Sequence, residues 1–81
     1  MTVVVYFFVL MRVDFMEDEK KIGDRIREIR LSRGISSYQL AERAGMKRSN
    51  ISRIELGNVS VGLRVLCRVL RALDCSLEII E

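Results

Sequence analysis

The stretch QLAERAGMKRSNISRIELG, from Gln39 to Gly57, holds two short helical patterns parted by one glycine, Gly45, and closed by another, Gly57. Neither half has enough apolar surface to stand alone, since isolated helices below ~12–15 residues are marginal in water. The two halves must therefore pack on each other and on neighbouring elements. The second half is also unusually wet. Lys47, Arg48, Ser49, Asn50, Ser52 and Arg53 crowd around only two isoleucines, Ile51 and Ile54. A helix that buries so narrow a stripe keeps its other side for solvent or for a partner.

The flanking sequence supplies the rest of a core. In DEKKIGDRIREIRLSRG, Ile22, Ile26 and Ile29 recur at i, i+4 and i+7, which predicts a helix over about Asp18 to Arg33. Asp18 and Glu19 at its start and Arg30 and Arg33 at its end suit the helix dipole, and Gly34 follows as a left-handed C′ residue. Ser36 with Gln39 three residues on is a capping box, and Ile35 before it is placed to staple onto Leu40. A second helix is expected over Ser37 to Ala44 and a third over Arg48 to Leu56, ended by Gly45 and Gly57. Leu63, Leu66, Leu70 and Leu73 give a fourth helix its stripe, capped by Ser60 or Gly62, while Arg64, Arg68 and Arg71 stay wet. The last residues, CSLEIIE, fit a short strand better than a final helical turn.

Eighty-one residues make one small domain with a single modest core. Residues 16–81 are assigned to that domain and residues 1–15 to an apolar N-terminal extension. Val3 to Met11 alternates apolar residues on both faces and is expected to be a strand, unless Met11 or Met16 is the natural start. The run is shorter than the roughly 20 residues a membrane helix needs, and it lacks the basic head and cleavage site of a secretory signal. No membrane partner is expected, and the cytoplasm is the expected compartment.

Composition argues against most chemistry. The chain has no histidine, which removes the commonest acid–base catalyst near neutral pH. Cys67 and Cys75 are eight apart, without the CxxC spacing of zinc or thiol-redox sites, and are expected to be half-buried free thiols. No glycine-rich phosphate loop and no nucleophile with a base are present. An enzyme is not expected, nor a metal or cofactor. With 14 basic against 11 acidic residues the net charge is only +3, so the placement of charge matters more than its total.

Set together, the second and third helices turn Leu40, Ala44, Met46, Ile51 and Ile54 inward. Ala41 falls where the helices cross and only a small side chain permits close approach, while Gly45 occupies the turn. Helix, three-residue turn and helix is the helix-turn-helix, whose second helix lies in the DNA major groove. Over about Ile22 to Asp74, two-thirds of the chain, the sequence resembles the Cro and lambda-repressor-like (Xre-type) helix-turn-helix family. The leading IR-x-x-R-x-S-R-G helix and the trailing leucine helix flank the motif in the family's order. The resemblance implies an all-α, lambda-repressor-like bundle of four to five helices, here with short terminal β-strands as candidates because CSLEII reads as a strand ending.

It also implies residue roles. Arg48, Ser49 and Arg53 match the family's base-reaching positions, and Ser52 is an additional candidate. Ser36, Ser37 and Tyr38, at the N-terminus of the second helix, are candidates for phosphate contact, with Lys47, Asn50 and Asn58. Ser37 departs from the family, which often has glutamine there, and Tyr38 either touches the sugar-phosphate or covers the core edge. Arg30 and Glu55 match a family ion pair joining the first and third helices.

The implied function is sequence-specific DNA binding by a homodimeric transcriptional repressor acting on double-stranded DNA. The dimer is expected through SLEIIE, the N-terminal apolar run, or both. The alternative is an antitoxin that represses its own operon and also binds a toxin protein. A third reading is a protein-interaction module that no longer binds DNA, against which the basic third helix argues.

Overall fold

A computed structural model describes residues 15–80 and contains four α-helices: α1 (Phe15–Ser32), α2 (Ser37–Ala44), α3 (Arg48–Leu56) and α4 (Leu63–Ala72). The strand expected between Val3 and Met11 lies outside the described residues. The helices expected from Ser37 and Arg48 begin there, and of the two caps open for the fourth helix, Ser60 and Gly62, the structure has Gly62.

On α1, Ile26 and Ile29 are buried and Ile22 packs partly against the same core, as the i, i+4, i+7 spacing requires. Its wet side carries the exposed pairs Lys20–Asp24 at 2.9 Å and Arg25–Glu28 at 3.1 Å. Pairs of this kind contribute only about 0.3–0.5 kcal/mol each. Gly34 ends the turn after α1 with φ 69°.

The capping box on α2 is formed in both directions. The Gln39 backbone N–H donates to Ser36 Oγ at 3.0 Å, and the Ser36 N–H donates to Gln39 Oε1 at 2.8 Å. At the other end Gly45 takes φ 67°, ψ 39°, and the Met46 N–H donates back to the Ala41 carbonyl at 2.9 Å. A left-handed residue at this point reverses the chain direction within three residues, so α3 sets off across α2 rather than extending it.

The core gathers Ile26, Ile29, Ile35, Leu40, Ala41, Ala44, Ile51, Ile54, Val69, Leu70 and Leu73. The helix α1 packs on α3, α3 on α2, and α2 on α4. Ile35 and Leu40, the two staple positions, are both buried in this cluster. Met46 is only half-buried against it.

Two expectations are corrected. The stripe on α4 is Leu66, Val69, Leu70 and Leu73, not Leu63, Leu66, Leu70 and Leu73; Leu63 is 66% exposed, whereas Val69 is fully buried. The helix begins only at Leu63, with Gly62 as its N-cap, so Leu63 sits at the open end of the helix while Val65 and Leu66 are the first of its residues to pack against the core. Residues 75–80 form neither strand nor helical turn, because the described residues contain no strand for them to pair with. Cys75 and Leu77 lie partly against the core instead, and Ile79 is 89% exposed. Cys67 and Cys75 are free thiols, both half-buried as expected. No helix among the described residues is long and apolar enough to cross a membrane.

Candidate nucleic-acid interface

The polar face of α3 follows from what its other face buries. Ile51 and Ile54 are sealed in the core, and Glu55 between α3 and α1 is only 5% exposed. Arg48, Ser49, Asn50 and Arg53 then fall on the exposed side, and Ser52 is half-buried at its margin. Among the described residues, no carboxylate pairs with Arg48 or Arg53. Two unneutralised guanidinium groups therefore stand one helical turn and a half apart on a short rigid rod, which is a surface suited to anionic or acceptor-rich partners.

The start of α2 stands beside the start of α3. Arg48 Nε donates to Ser37 Oγ at 3.2 Å, which ties the two helix N-termini together at the surface. Tyr38, Ala41, Glu42, Met46, Lys47 and Arg48 line one shared groove there. Tyr38 is 62% exposed, so it does not serve chiefly to seal the core. Ser36, Lys47 and Asn58 are also exposed, and Ser37 is half-buried beneath Arg48. Lys47 is the N-cap of α3 and makes no side-chain cap bond, so its ammonium stays free of that role.

Asn50 and Arg53 edge a second groove with Met46, Ile54 and the loop from Val59 to Gly62. Asn58 stands at the entry to that loop, where its backbone N–H donates to the Arg53 carbonyl at 3.0 Å. The ten base and phosphate candidates are thus gathered at the start of α2, along the wet face of α3 and just beyond its end. None is buried.

The mount of this surface is polar as well. Arg30 of α1 donates to Glu55 of α3 through Nε at 2.7 Å and Nη2 at 3.0 Å. Its remaining nitrogen, Nη1, donates to the Ile35 carbonyl at 2.9 Å. The ion pair was legible in the sequence; the bond to the Ile35 carbonyl and the bond from Arg48 to Ser37 were not, because each depends on loop geometry.

A helix-turn-helix family matches the chain over residues 26–80. The chain belongs to the Xre/Cro-type helix-turn-helix family. The crystal structure of the restriction-modification controller protein C.AhdI from Aeromonas hydrophila superposes with a TM-score of 0.71 at 36% identity, covering 73% of this chain and 89% of that one. No curated protein matches. Membership of this family makes the chain a DNA-binding transcriptional regulator with an all-α fold.

Proposed function

We propose that the protein is a homodimeric repressor that reads its operator with α3 in the major groove. In this reading Arg48 and Arg53 donate to guanine O6 and N7, each such bidentate contact contributing about 1–3 kcal/mol of discrimination. Ser49 and Ser52 make shorter-range contacts to base edges. Ser36, Ser37, Tyr38, Lys47, Asn50 and Asn58 hold the sugar-phosphate backbone and fix register without reading sequence. Repression follows from occupying promoter DNA, and the site of action is the cytoplasm, where that DNA lies.

The observation that carries this reading is the exposure of Arg48 and Arg53 on one wet face of a helix whose other face is locked by Ile51, Ile54 and Glu55. One such helix spans only a few base pairs, so a two-fold pair on half-sites about 34 Å apart is needed for a useful site. Exposed Leu63 and Ile79 offer apolar surface that a second copy would cover. The likeness to a restriction-modification controller protein makes promoters of restriction and modification genes the first to try.

Selection of bound fragments from random duplex DNA tests the reading in one step. It should enrich a palindrome with half-site centres 10–10.5 base pairs apart. Recovery of no preferred sequence would refute it, and a reporter driven by the enriched site should fall when the protein is expressed.

A further inference from the structure

We infer that Gly23 and Gly57 are positioning residues for DNA recognition, because they seat α3 directly on the backbone of α1 and so set the reach and angle of Arg48 and Arg53. The inference rests on the proposed reading of DNA by α3 and adds to it the element that aims the reader.

Glycine in the middle of a helix loosens it relative to alanine, so a glycine kept there needs a reason from packing. Gly23 lies in the middle of the 18-residue α1. A Cβ at Gly23 would overlap the Ile54 carbonyl oxygen and would stand 2.7 Å from that of Glu55. The obstruction is backbone of α3 itself, not the end of a flexible side chain. At the end of α3 the relation is reversed: a Cβ on Gly57 would lie 2.6 Å from Lys20 Cα and 2.8 Å from Lys20 N. Two glycines, one on each partner, thus open the same helix crossing.

The crossing continues to Arg30, whose guanidinium holds the Glu55 carboxylate. Residues 20, 23 and 30 share one face of α1, and they meet residues 57, 54–55 and 55 in turn. Ordinary contact begins at 3.4 Å. Restoring it around an added methyl would move α3 by more than the ~0.5 Å within which a binding constellation must be held. Arg48 and Arg53 ride on α3, so their tips move with it. Phosphate attraction depends mainly on the number of charges and tolerates such a shift, whereas bidentate contact with a base edge does not.

The test compares Gly23→Ala and Gly57→Asn with the parent protein. Asparagine tolerates the left-handed backbone that Gly57 adopts at φ 74°, so that variant chiefly adds bulk against Lys20. Gly34→Asn is the control, since Gly34 has φ 69° and nothing within 4 Å of an added Cβ. Each protein is titrated against the duplex enriched from random DNA and against an unrelated duplex of equal length, with circular dichroism melting in parallel. The expected result is a loss of at least tenfold in affinity for the enriched duplex in both seat variants. Affinity for the unrelated duplex should stay within about twofold, and its salt slope should not change. Gly34→Asn should match the parent on both. Seat variants that keep the parent's preference overturn the inference while leaving α3 as the reader. Variants that lose both duplexes together by unfolding also overturn it, assigning the glycines to stability alone. A parent with no preference between the duplexes fails the underlying reading and the inference with it.

Discussion

Arg30 and Glu55 meet through two hydrogen bonds of 2.7 and 3.0 Å across 25 residues of sequence, and both side chains are buried. The third bond, from Arg30 to the Ile35 carbonyl, ties the loop before α2 to the same guanidinium. One side chain therefore links α1, the entry to α2, and α3. Removing either partner leaves a charge buried without its counter-ion, which costs about 3–5 kcal/mol. Arg30→Ala and Glu55→Ala are each expected to lower unfolding free energy by that amount in urea titrations. Arg30→Lys should recover little, since an ammonium cannot reproduce the planar fork. Replacing both together by Met and Leu should recover most of the loss.

The core makes a second prediction. Leu40 and Ile51 are fully buried on the two helices of the turn motif. Truncating either to alanine should cost about 2–5 kcal/mol by lost transfer energy and an unfilled cavity. Leu63→Ala, on the exposed first turn of α4, should leave monomer stability within about 0.5 kcal/mol. Thermal melts of the three variants check the ordering, and similar losses for Leu63 and Leu40 would contradict the observed burial.

The capping box gives a smaller, local effect. Ser36→Ala removes the acceptor for the Gln39 N–H and should destabilise the protein by ~1 kcal/mol. Ser36→Asp keeps the acceptor and should restore it. Hydrogen exchange at the Gln39 amide should quicken in the alanine variant and return to the parent rate in the aspartate variant.

Much of this architecture was legible in the chain because its local signals agree. Ser36 and Gln39 mark where α2 starts, Gly45 and Gly57 mark where α2 and α3 stop, and each mark falls where the structure has it. The error on α4 has a definite cause. Leu63 continues the leucine spacing, but a sequence pattern does not show where the core runs out, and Val69 is apolar but falls outside the leucine series. The ending of the chain was misread because a strand depends on a partner that Ile79 and Ile80 do not have among the described residues. Gly23 carries a sequence signal of its own: a mid-helix glycine costs ~1 kcal/mol against alanine, which points to a close neighbour. The candidate interface was visible as residue types, since six polar or basic residues around two isoleucines cannot all be buried. That Arg48 would donate to Ser37 was not, because the contact depends on how the turn sets one helix start beside the other.

Salt dependence separates the two kinds of contact proposed for α3 and its surroundings. Each phosphate neutralised by a lysine or arginine should steepen the fall of affinity by ~0.9 log unit per log unit of salt. Lys47→Ala should therefore flatten the slope by about one such step and weaken enriched and unrelated duplexes alike. Ser49→Ala should leave the slope unchanged. Fluorescence anisotropy titrations from about 50 to 200 mM salt give both slopes.

The most direct measurement is the affinity of the Arg48→Ala, Arg53→Ala double variant for the duplex enriched from random DNA, at one fixed salt concentration. Both side chains are exposed and Arg48 makes only the surface bond to Ser37, so the variant should melt as the parent does. Its preference for that duplex over unrelated DNA should fall by about 2–6 kcal/mol, the sum of two lost guanine contacts. A double variant that folds and still binds the enriched duplex as tightly and as selectively as the parent would contradict the assignment of α3 as the reader.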